Sequence, residues 1–366
     1  MKKDIFVPQS KDTIKVYEQQ NAIKKDWTLS RYYITKGYFN SHMKQFVAKA
    51  GDLIVSCAGT IGEIYELPQD AEEGVFNQAL MRVQVNDEAV NKEIFITVFS
   101  SMIDKFSKIY SNGSAIKNIP PFADLKKTQV FLPCKEEQKK IAKLLALLDE
   151  RIVTQSKIIE DLKRLKSAII DYAINSLHCD FVKFGTLYEM AGEGGTPATS
   201  NAAYYDNGNI PFIKIDDLKQ KYLTENKDFI TELGLQKSSA WLIPTHSILF
   251  SNGATIGEIS ITTYPVCTKQ GILGIVPKQN IDVEFLYYLM SSSYFKKAVS
   301  RIVTEGTMKT AYLKDINNIL CPIPTKERQH EIAKMPSALN SKIDFEQSIL
   351  KLFGLQKQYL LRQMFI

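Results

Sequence analysis

The sequence contains few residues that bind metals, and they form no recognisable metal site. Its 366 residues include five cysteines and four histidines, and no two cysteines form a Cys-x-x-Cys pair. This scatter excludes the common zinc-binding patterns and is typical of thiols kept in a reducing compartment. We therefore predict no metal ion and no other cofactor.

Long hydrophobic runs are absent as well. No apolar run reaches the roughly 18 residues that a membrane-spanning helix needs, and the first residues, MKKDIFVPQSKD, lack the apolar core of a signal peptide. We expect a cytoplasmic protein without a membrane partner. The formal net charge of +6 permits a nucleic-acid partner but does not require one.

The sequence has no Walker motif and no preferred catalytic set of Ser, His, Asp or Cys. Two segments are similar to methyltransferase motifs. Residues 118–122 (NIPPF) carry one Ile more than an Asn-Pro-Pro-Phe loop, and residues 192–195 (GEGG) do not lie between a strand and a helix as a cofactor loop would. We predict that both segments are surface loops without a catalytic role.

Glycine and proline are missing from one long stretch, Lys135 to Leu177, which we predict to be a single helix on the order of 60 Å long. Its apolar residues recur at alternating steps of four and three, with one polar position at Gln155, which is the pattern of a coiled-coil seam. The seam residues are Ile141, Leu145, Leu148, Ile152, Ile159 and Leu162. A second stripe, Leu165, Ile169 and Tyr172, is predicted to follow after a phase slip.

The end of the chain repeats this stretch 191 positions later. Gln138 matches Gln329, and Gln155 matches Glu346 in the polar seam position. The seam of the second copy is formed by Leu339, Ile343, Leu350 and Phe353. Pro336 is expected to kink this second helix near its start. Because each seam needs a partner, we predict that the two helices pack antiparallel within one chain.

The duplication predicts a mixed α/β protein in which two similar globular domains are joined by two long helices that form an antiparallel coiled coil. The predicted segments are a first domain at 1–132, a first helix at 133–180, a second domain at 181–324 and a second helix at 325–366. Residues 181–209 have no counterpart ahead of the first domain, so we expect a chain that starts late or is a rearranged or partial product.

Within the domains, the pattern predicts strands at Leu53–Ser56 and Leu80–Val85, and helices at Glu93–Phe106 and Val283–Val299. Residues 59–63 (GTIGE) match residues 254–258 (ATIGE), and Gln78 matches Gln270. The matched loops are expected to be tight turns, and they could also bring the backbone close to a ligand.

Polar residues at matched points of the repeat, in predicted turns, are the candidates for contact with a ligand such as DNA, whose phosphates and base edges polar side chains can reach. The candidates are Asn77, Gln78, Lys117, Lys214, Asn252, Lys269, Gln270 and Lys309.

The order of these motifs resembles a known family. Ile-Gly-Glu is followed by Gln, by Gly-Ser or Gly-Thr, and by a proline before Glu-Gln-x-x-Ile-Ala-x-x-Leu at the start of a long helix, and the whole order is duplicated. The first helix start carries Pro133, Glu137 and Gln138, whereas the second copy has Arg328 in place of the glutamate and Pro336 in place of the leucine. The sequence is similar to the specificity subunit of type I restriction–modification enzymes.

This resemblance implies a non-catalytic subunit in which two target recognition domains each read one half of a bipartite, asymmetric site in double-stranded DNA. It also implies that the two helices set the distance between the half-sites and bind the modification (methyltransferase) subunits, which restriction (motor and nuclease) subunits then join. Two alternatives remain open: a partial or silent specificity-subunit product that acts mainly as a coiled-coil scaffold, and a self-contained DNA methyltransferase.

Overall fold

The computed structural model describes residues 3–110, 122–253, 255–303 and 309–364. The chain divides into two compact units. Unit 1 consists of residues 1–152 and 353–366, and unit 2 consists of residues 153–352. Both long helices contribute to both units, because the divisions fall inside them.

The described residues of unit 1 form seven short strands and four helices ahead of the first long helix. The strands are β1 (Thr13–Tyr17), β2 (Tyr32–Thr35), β3 (Val47–Ala48), β4 (Leu53–Ser56), β5 (Ile64–Glu66), β6 (Gly74–Phe76) and β7 (Leu80–Val83). The helices are α1 (Gln19–Lys24), α2 (Lys36–Tyr38), α3 (Lys92–Tyr110), α4 (Phe122–Lys127) and the long helix α5 (Lys135–Asn175), and short 3-10 or π turns lie at Lys3–Ile5, Phe39–Met43 and Lys44–Phe46.

The strands of unit 1 form two sheets. One has the order β2-β1-β6-β3, with β1 antiparallel to β2 and parallel to β6, and the other has the antiparallel order β5-β4-β7. The sheets bury apolar residues on their inner faces, as Val16, Ile34 and Val75 do in one cluster. The predicted strand Leu53–Ser56 is confirmed, and the strand predicted to end at Val85 ends at Val83.

Unit 2 repeats this plan and adds to it. Its strands are β8 (Phe181–Lys183), β9 (Tyr188–Glu193), β10 (Ile210–Ile213), β11 (Tyr222–Leu223), β12 (Asp228–Ile230), β13 (Ile248–Ser251), β14 (Ile259–Thr262), β15 (Cys267–Thr268), β16 (Ile272–Pro277) and β17 (Leu320–Pro322). Its helices are α6 (Glu232–Gln236), α7 (Val283–Ser291), α8 (Ser293–Ile302), α9 (Leu313–Ile316) and the second long helix α10 (Lys326–Met364), and 3-10 turns lie at Phe184–Thr186, Ala202–Tyr204 and Ile215–Asp217.

The sheets of unit 2 repeat the central strands of the sheets of unit 1. Strand β10 is antiparallel to β12 and parallel to β15, as β1 is to β2 and β6. The antiparallel set β14-β13-β16 corresponds to β5-β4-β7 and is extended by β11 and β9. Strand β8 pairs with β17, where Cys321 is 0% exposed, whereas Val130 at the matching position of the first copy is 43% exposed. In unit 2, β9 pairs with the edge of β16 that faces away from β13. Among the described residues of unit 1, no strand pairs with the equivalent edge of β7.

The helix predicted at Glu93–Phe106 is present and extends over Lys92–Tyr110. The single helix predicted at Val283–Val299 is wrong, because the chain leaves the helical conformation at Ser292, whose ψ is 155°. The Ser292 hydroxyl accepts a hydrogen bond from the Phe295 backbone amide (3.2 Å) and so caps the start of α8. Asp171 accepts a second bond from the Ser293 amide (2.7 Å) and fixes the break.

The two long helices run antiparallel where they meet inside each unit. In unit 2, Gln155 donates to the Glu346 backbone carbonyl (3.2 Å), and eleven residues later Lys166 Nζ donates to Asn340 Oδ1 (2.8 Å), which precedes Glu346. In unit 1, Lys357 forms an ion pair with Asp149. The predicted antiparallel coiled coil is therefore present.

All ten predicted seam residues lie on the buried sides of the helices. Among them, Leu145, Leu148, Ile159 and Ile343 are buried, and the others are half-buried. The predicted phase slip is wrong: Leu165 and Tyr172 are 48% and 77% exposed, whereas Ile170 and Ile174 are buried. The seam instead continues through Lys166, which hydrogen-bonds to Asn340, and burial lowers the pKa of this lysine.

Helix α10 continues through Pro336, and a buried lysine anchors it there to unit 2. The Lys221 side chain is 1% exposed, and its Nζ lies 2.9 Å from Glu284 Oε2 and 2.8 Å from Ser337 Oγ. The ring of Tyr288 lies 4.8 Å from the same ammonium group. Pro336 has no backbone N–H, so one helical hydrogen bond is missing at this point of α10. The contact of Lys221 with Ser337 holds the helix one residue beyond the proline.

Candidate nucleic-acid interface

A cleft of about 650 Å³ opens on unit 2 where several loops converge. The loops follow β9 and β10, connect β13 to β14 and β15 to β16, and precede α9. The residues that line the cleft are Glu193, Thr196, Lys214, Ile215, Asp216, Gly253, Thr255, Lys269, Gln270, Gly271, Thr310 and Tyr312. The strands fix the ends of most of these loops.

Three of the predicted DNA-contact residues come together in the cleft. Lys214, Lys269 and Gln270 are all exposed and line it. The Lys214 ammonium lies 2.7 Å from the Asp228 carboxylate, so its charge is partly compensated. Lys309 is exposed beside Thr310 at the edge of the cleft.

One other predicted contact has a different position. Asn252 is 1% exposed, and its amide donates to the Ala311 carbonyl (3.2 Å), so it lies beneath the cleft and holds a loop; a direct contact with DNA is not available to it in this conformation. The Ala311 backbone amide also donates to the Asn252 carbonyl (2.9 Å). Lys117 lies outside the described residues.

The equivalent surface of unit 1 has the same backbone frame. The Asn77 amide donates to the Tyr17 carbonyl (3.1 Å), and the Lys269 amide donates to the Ile213 carbonyl (2.9 Å) at the same point of the duplicated fold. Asn77 is half-buried and its side chain accepts from the Ala79 amide (3.0 Å), whereas Gln78 is exposed.

The matched Gly-Glu turns also have one structure. The Ser56 hydroxyl accepts from the Glu63 amide (3.0 Å), and the Ser251 hydroxyl accepts from the Glu258 amide (2.8 Å). The glycine before each glutamate has a positive φ, 84° in unit 1 and 105° in unit 2, which side-chain-bearing residues rarely adopt. The prediction of tight turns is confirmed.

The methyltransferase-like segments show no catalytic arrangement in the described part of the chain. Residues 118–121 lie outside the described residues. Gly194 follows β9, where a β-carbon would lie 2.2 Å from the Thr268 carbonyl oxygen, so close packing explains this glycine. Among the described residues, no group of His, Cys, Asp and Glu could hold a metal ion, and no helix is long and apolar enough to cross a membrane.

Sequence reasoning missed several residues of the cleft, including Glu193, Asp216 and Tyr312. A signal for Asp216 was present, because Ile14–Tyr17 aligns with Ile210–Ile213 and the alignment can be continued by three residues. Glu193 belongs to the segment 181–209, for which the repeat offered no match, so no signal pointed to it.

A second exposed surface lies on the long helices of unit 2. Ile158, Leu165 and Tyr172 follow each other at intervals of seven residues on α5 and are 40%, 48% and 77% exposed. Phe345 and Leu352 of α10 have the same spacing and are 59% and 63% exposed. Apolar side chains at heptad spacing are typical of a helix that packs against another helix.

Comparison with known proteins identifies the family. The model of the type I restriction modification DNA specificity domain matches the chain twice, at residues 3–164 and at residues 179–352. The chain belongs to this family. The two matches agree with the duplication seen in the sheets.

Several members of the specificity-domain family are similar in sequence. The type I restriction enzyme MjaIX specificity subunit of Methanocaldococcus jannaschii is 32% identical over 171 residues, which are 45% of this chain and 38% of that protein. The HindI specificity subunit of Haemophilus influenzae is 35% identical over 115 residues, 31% of this chain and 25% of that protein. The match thus spans less than half the length of each of these relatives. The MjaVIII specificity subunit of Methanocaldococcus jannaschii is 23% identical over 348 residues, 87% of this chain and 80% of that protein.

Solved structures from type I restriction–modification systems share the fold. A chain in a structure concerned with complex assembly and conformational transition of the type I R-M system has a TM-score of 0.65 at 15% identity, with 99% of this chain and 95% of that chain covered. The type I S subunit from M. genitalium has a TM-score of 0.51 at 17% identity, with 100% and 91% covered.

Proposed function

We propose that this chain is the DNA-reading, non-catalytic subunit of a type I restriction–modification complex, and that it recognises a bipartite, asymmetric site in double-stranded DNA. One domain reads each half-site. The observation that carries this proposal is the duplicated backbone frame, which borders the cleft in unit 2 and presents different side chains in the two units. Lys269 and Gln270 in unit 2 stand where Asn77 and Gln78 stand in unit 1.

The physical roles follow from residue chemistry. Lys269 and Lys309 are suited to phosphate oxygens, which supply most of the affinity but carry no sequence information directly. Gln78 and Gln270 are suited to base edges, since an amide offers a donor and an acceptor together. Asn252 acts as a positioning residue beneath the cleft.

The exposed heptad stripe of unit 2 supports binding of a partner helix, and we assign it to the modification subunits. The relatives are named as specificity subunits of restriction enzymes, and such a subunit needs other subunits to modify or cut DNA. Restriction subunits are expected to join the complex that the modification subunits form.

The test is to map modified bases in cells with and without this gene, in the presence of its modification subunits. We expect a split motif that disappears when the gene is deleted. The purified chain is then incubated alone with DNA and S-adenosylmethionine. Methylation by the chain alone would identify a self-contained methyltransferase, and a complete lack of sequence-dependent modification and of DNA binding would identify a scaffold.

A further inference from the structure

Residues 20 and 216 occupy the same position in the two units. Strands β1 and β10 end at equivalent residues, because Tyr17 pairs with Phe76 and Ile213 pairs with Thr268 in parallel ladders of the same register. Gln20 and Asp216 each lie three residues beyond the strand end. The two side chains therefore start from matched points of the duplicated fold.

The turn that carries each residue is held by the same pair of hydrogen bonds. In unit 1, the Glu18 amide donates to Asn21 Oδ1 (2.8 Å) and the Asn21 amide donates to the Glu18 carbonyl (2.9 Å). In unit 2, the Lys214 amide donates to Asp217 Oδ2 (2.9 Å) and the Asp217 amide donates to the Lys214 carbonyl (3.0 Å). These hydrogen bonds fix the backbone at Gln20 and at Asp216, and they do not involve the side chains of these two residues.

Both side chains are exposed, and neither pairs with another group in the part of the chain that the structure describes. Asp216 lines the cleft together with Lys269 and Gln270. Among the described residues its carboxylate forms no ion pair, and the adjacent Lys214 ammonium is paired with Asp228.

An unpaired carboxylate is unfavourable against DNA phosphates, because like charges repel. It is favourable against the major-groove edge of a base that offers an amino group, and cytosine N4 is the donor that aspartate accepts from most directly. A glutamine at the same place pairs best with adenine, whose N6 donates while N7 accepts. The exchange of one residue type for the other thus changes which base is preferred.

From this matched placement we infer that Gln20 and Asp216 are specificity-determining residues, each reading one base of the half-site that its own unit recognises. This inference rests on the proposed function. Asp216 selects a base whose amino group donates a hydrogen bond and which needs no donor from the protein, as cytosine does. Gln20 selects a base that both donates and accepts, as adenine does.

The experiment exchanges the two residue types in the full chain together with its modification subunits. Modified bases are mapped genome-wide for the wild type, Asp216→Gln and Gln20→Asp. We expect Asp216→Gln to change one position of one half-site, with about a tenfold change in the preference between cytosine and adenine there. Gln20→Asp is expected to change one position of the other half-site in the opposite sense.

Matched controls carry the same chemical change at other exposed positions. Asp206→Gln and Gln9→Asp alter exposed residues of units 2 and 1, and the motif should stay unchanged in both. Should Asp216→Gln fail to accumulate, Asp216→Asn replaces it, since it keeps the size of the side chain, removes the charge and exchanges one acceptor oxygen for an amide donor.

The outcomes separate the inference from the proposed function. If wild-type complexes modify a split motif and both exchanges leave every position unchanged, the inference is overturned and the function stands. If Asp216→Gln changes modification equally at all sites without altering the motif, its carboxylate acts only through charge, which also overturns the inference. If the wild type yields no motif at all, the proposed function itself fails.

Discussion

At the start of each long helix, a buried glutamine bonds to three backbone groups of the preceding domain. Gln138 accepts from the Asn91 amide (2.7 Å) and donates to the Pro133 and Ala89 carbonyls (2.9 and 3.3 Å). Gln329 makes the same three bonds, 191 residues later, to Asp282, Pro324 and Asn280. Each glutamine therefore fixes the joint between a domain and its helix.

We expect Gln329→Ala to lower the free energy of unfolding by about 1–3 kcal/mol, because the buried backbone groups of its partners lose their hydrogen bonds. Urea unfolding followed by circular dichroism measures the change. Gln347→Ala is the control, since Gln347 is an exposed glutamine of the same helix. Equal stability of both variants would contradict the role assigned to Gln329.

Lys269 is expected to bind a DNA phosphate. Lys269→Ala should weaken DNA binding of the assembled complex and flatten the plot of log K against log salt by roughly one unit, without changing the preferred sequence. Lys237→Ala, at an exposed position outside the cleft, should leave the slope unchanged. An unaltered slope for Lys269→Ala would remove this lysine from the interface.

Residue type and repeat position were enough to find part of the cleft. Lys269 and Gln270 were found because the second copy carries them at the point where the first copy carries Asn77 and Gln78. Asn252 was selected on the same grounds, yet it is buried. A polar residue in a turn can be exposed to solvent, or it can be buried and hydrogen-bond to a neighbouring loop. For Asn252, only the packing of the segment around Ala311 against it distinguishes these two environments.

At the scale of the element, neighbouring leucines of α5 have opposite environments. Leu148 is 7% exposed and Leu147 is 51% exposed. We expect Leu148→Ala to destabilise the protein by about 2–5 kcal/mol, because it leaves a cavity in the packed side of the helix. Leu147→Ala should change the unfolding free energy by less than about 0.5 kcal/mol. Urea unfolding of both variants checks the seam, and similar losses would refute it.

The exposed stripe of α5 makes a separate prediction. Leu165→Asp places a charge on a surface assigned to the modification subunits, so it should reduce their co-purification with the chain while leaving its circular dichroism spectrum unchanged. Lys163→Asp, at an exposed position of the same helix, is the control. Retention of the modification subunits by Leu165→Asp would show that they bind elsewhere.

Periodicity predicted the helices well and their details less well. The long helix predicted to end at Leu177 ends at Asn175. The seam was misplaced beyond Leu162 because a lysine occupies the seam position at 166. A search for apolar residues therefore selected the neighbouring stripe that begins at Leu165. The break at Ser292 was missed for a related reason: its partner Asp171 is far away in sequence.

At the scale of the whole molecule, the repeat was the most informative signal. A constant offset of 191 along the helices predicted two similar domains and an antiparallel pair, and the central strands of the sheets recur in both units. Short strands such as β11 and β15 were not predicted as separate elements, since two residues carry no periodicity and depend on partners from elsewhere in the chain.

The helices are predicted to set the gap between the half-sites, which should lie about one turn of DNA apart, roughly 34–36 Å. Inserting one heptad after Gln155 and one after Glu346 adds about 10 Å to each helix. We expect the half-site sequences to survive and the gap to grow by a few base pairs, as read from a map of modified bases. An active variant that keeps the old gap would contradict this role, and loss of the half-site sequences would contradict recognition by the globular domains.

The contact between Gln155 and Glu346 has a consequence for how chains avoid mispairing. These two residues are each other's equivalents in the duplicated sequence, and the Gln155 amide donates to the Glu346 carboxylate. If second-copy helices from two different chains associated in the same way, two carboxylates would meet in a buried position and repel. Two first-copy helices would bring two amides together and gain no charge-assisted bond. The unlike pair thus favours association of the two long helices of one chain over exchange of helices between chains.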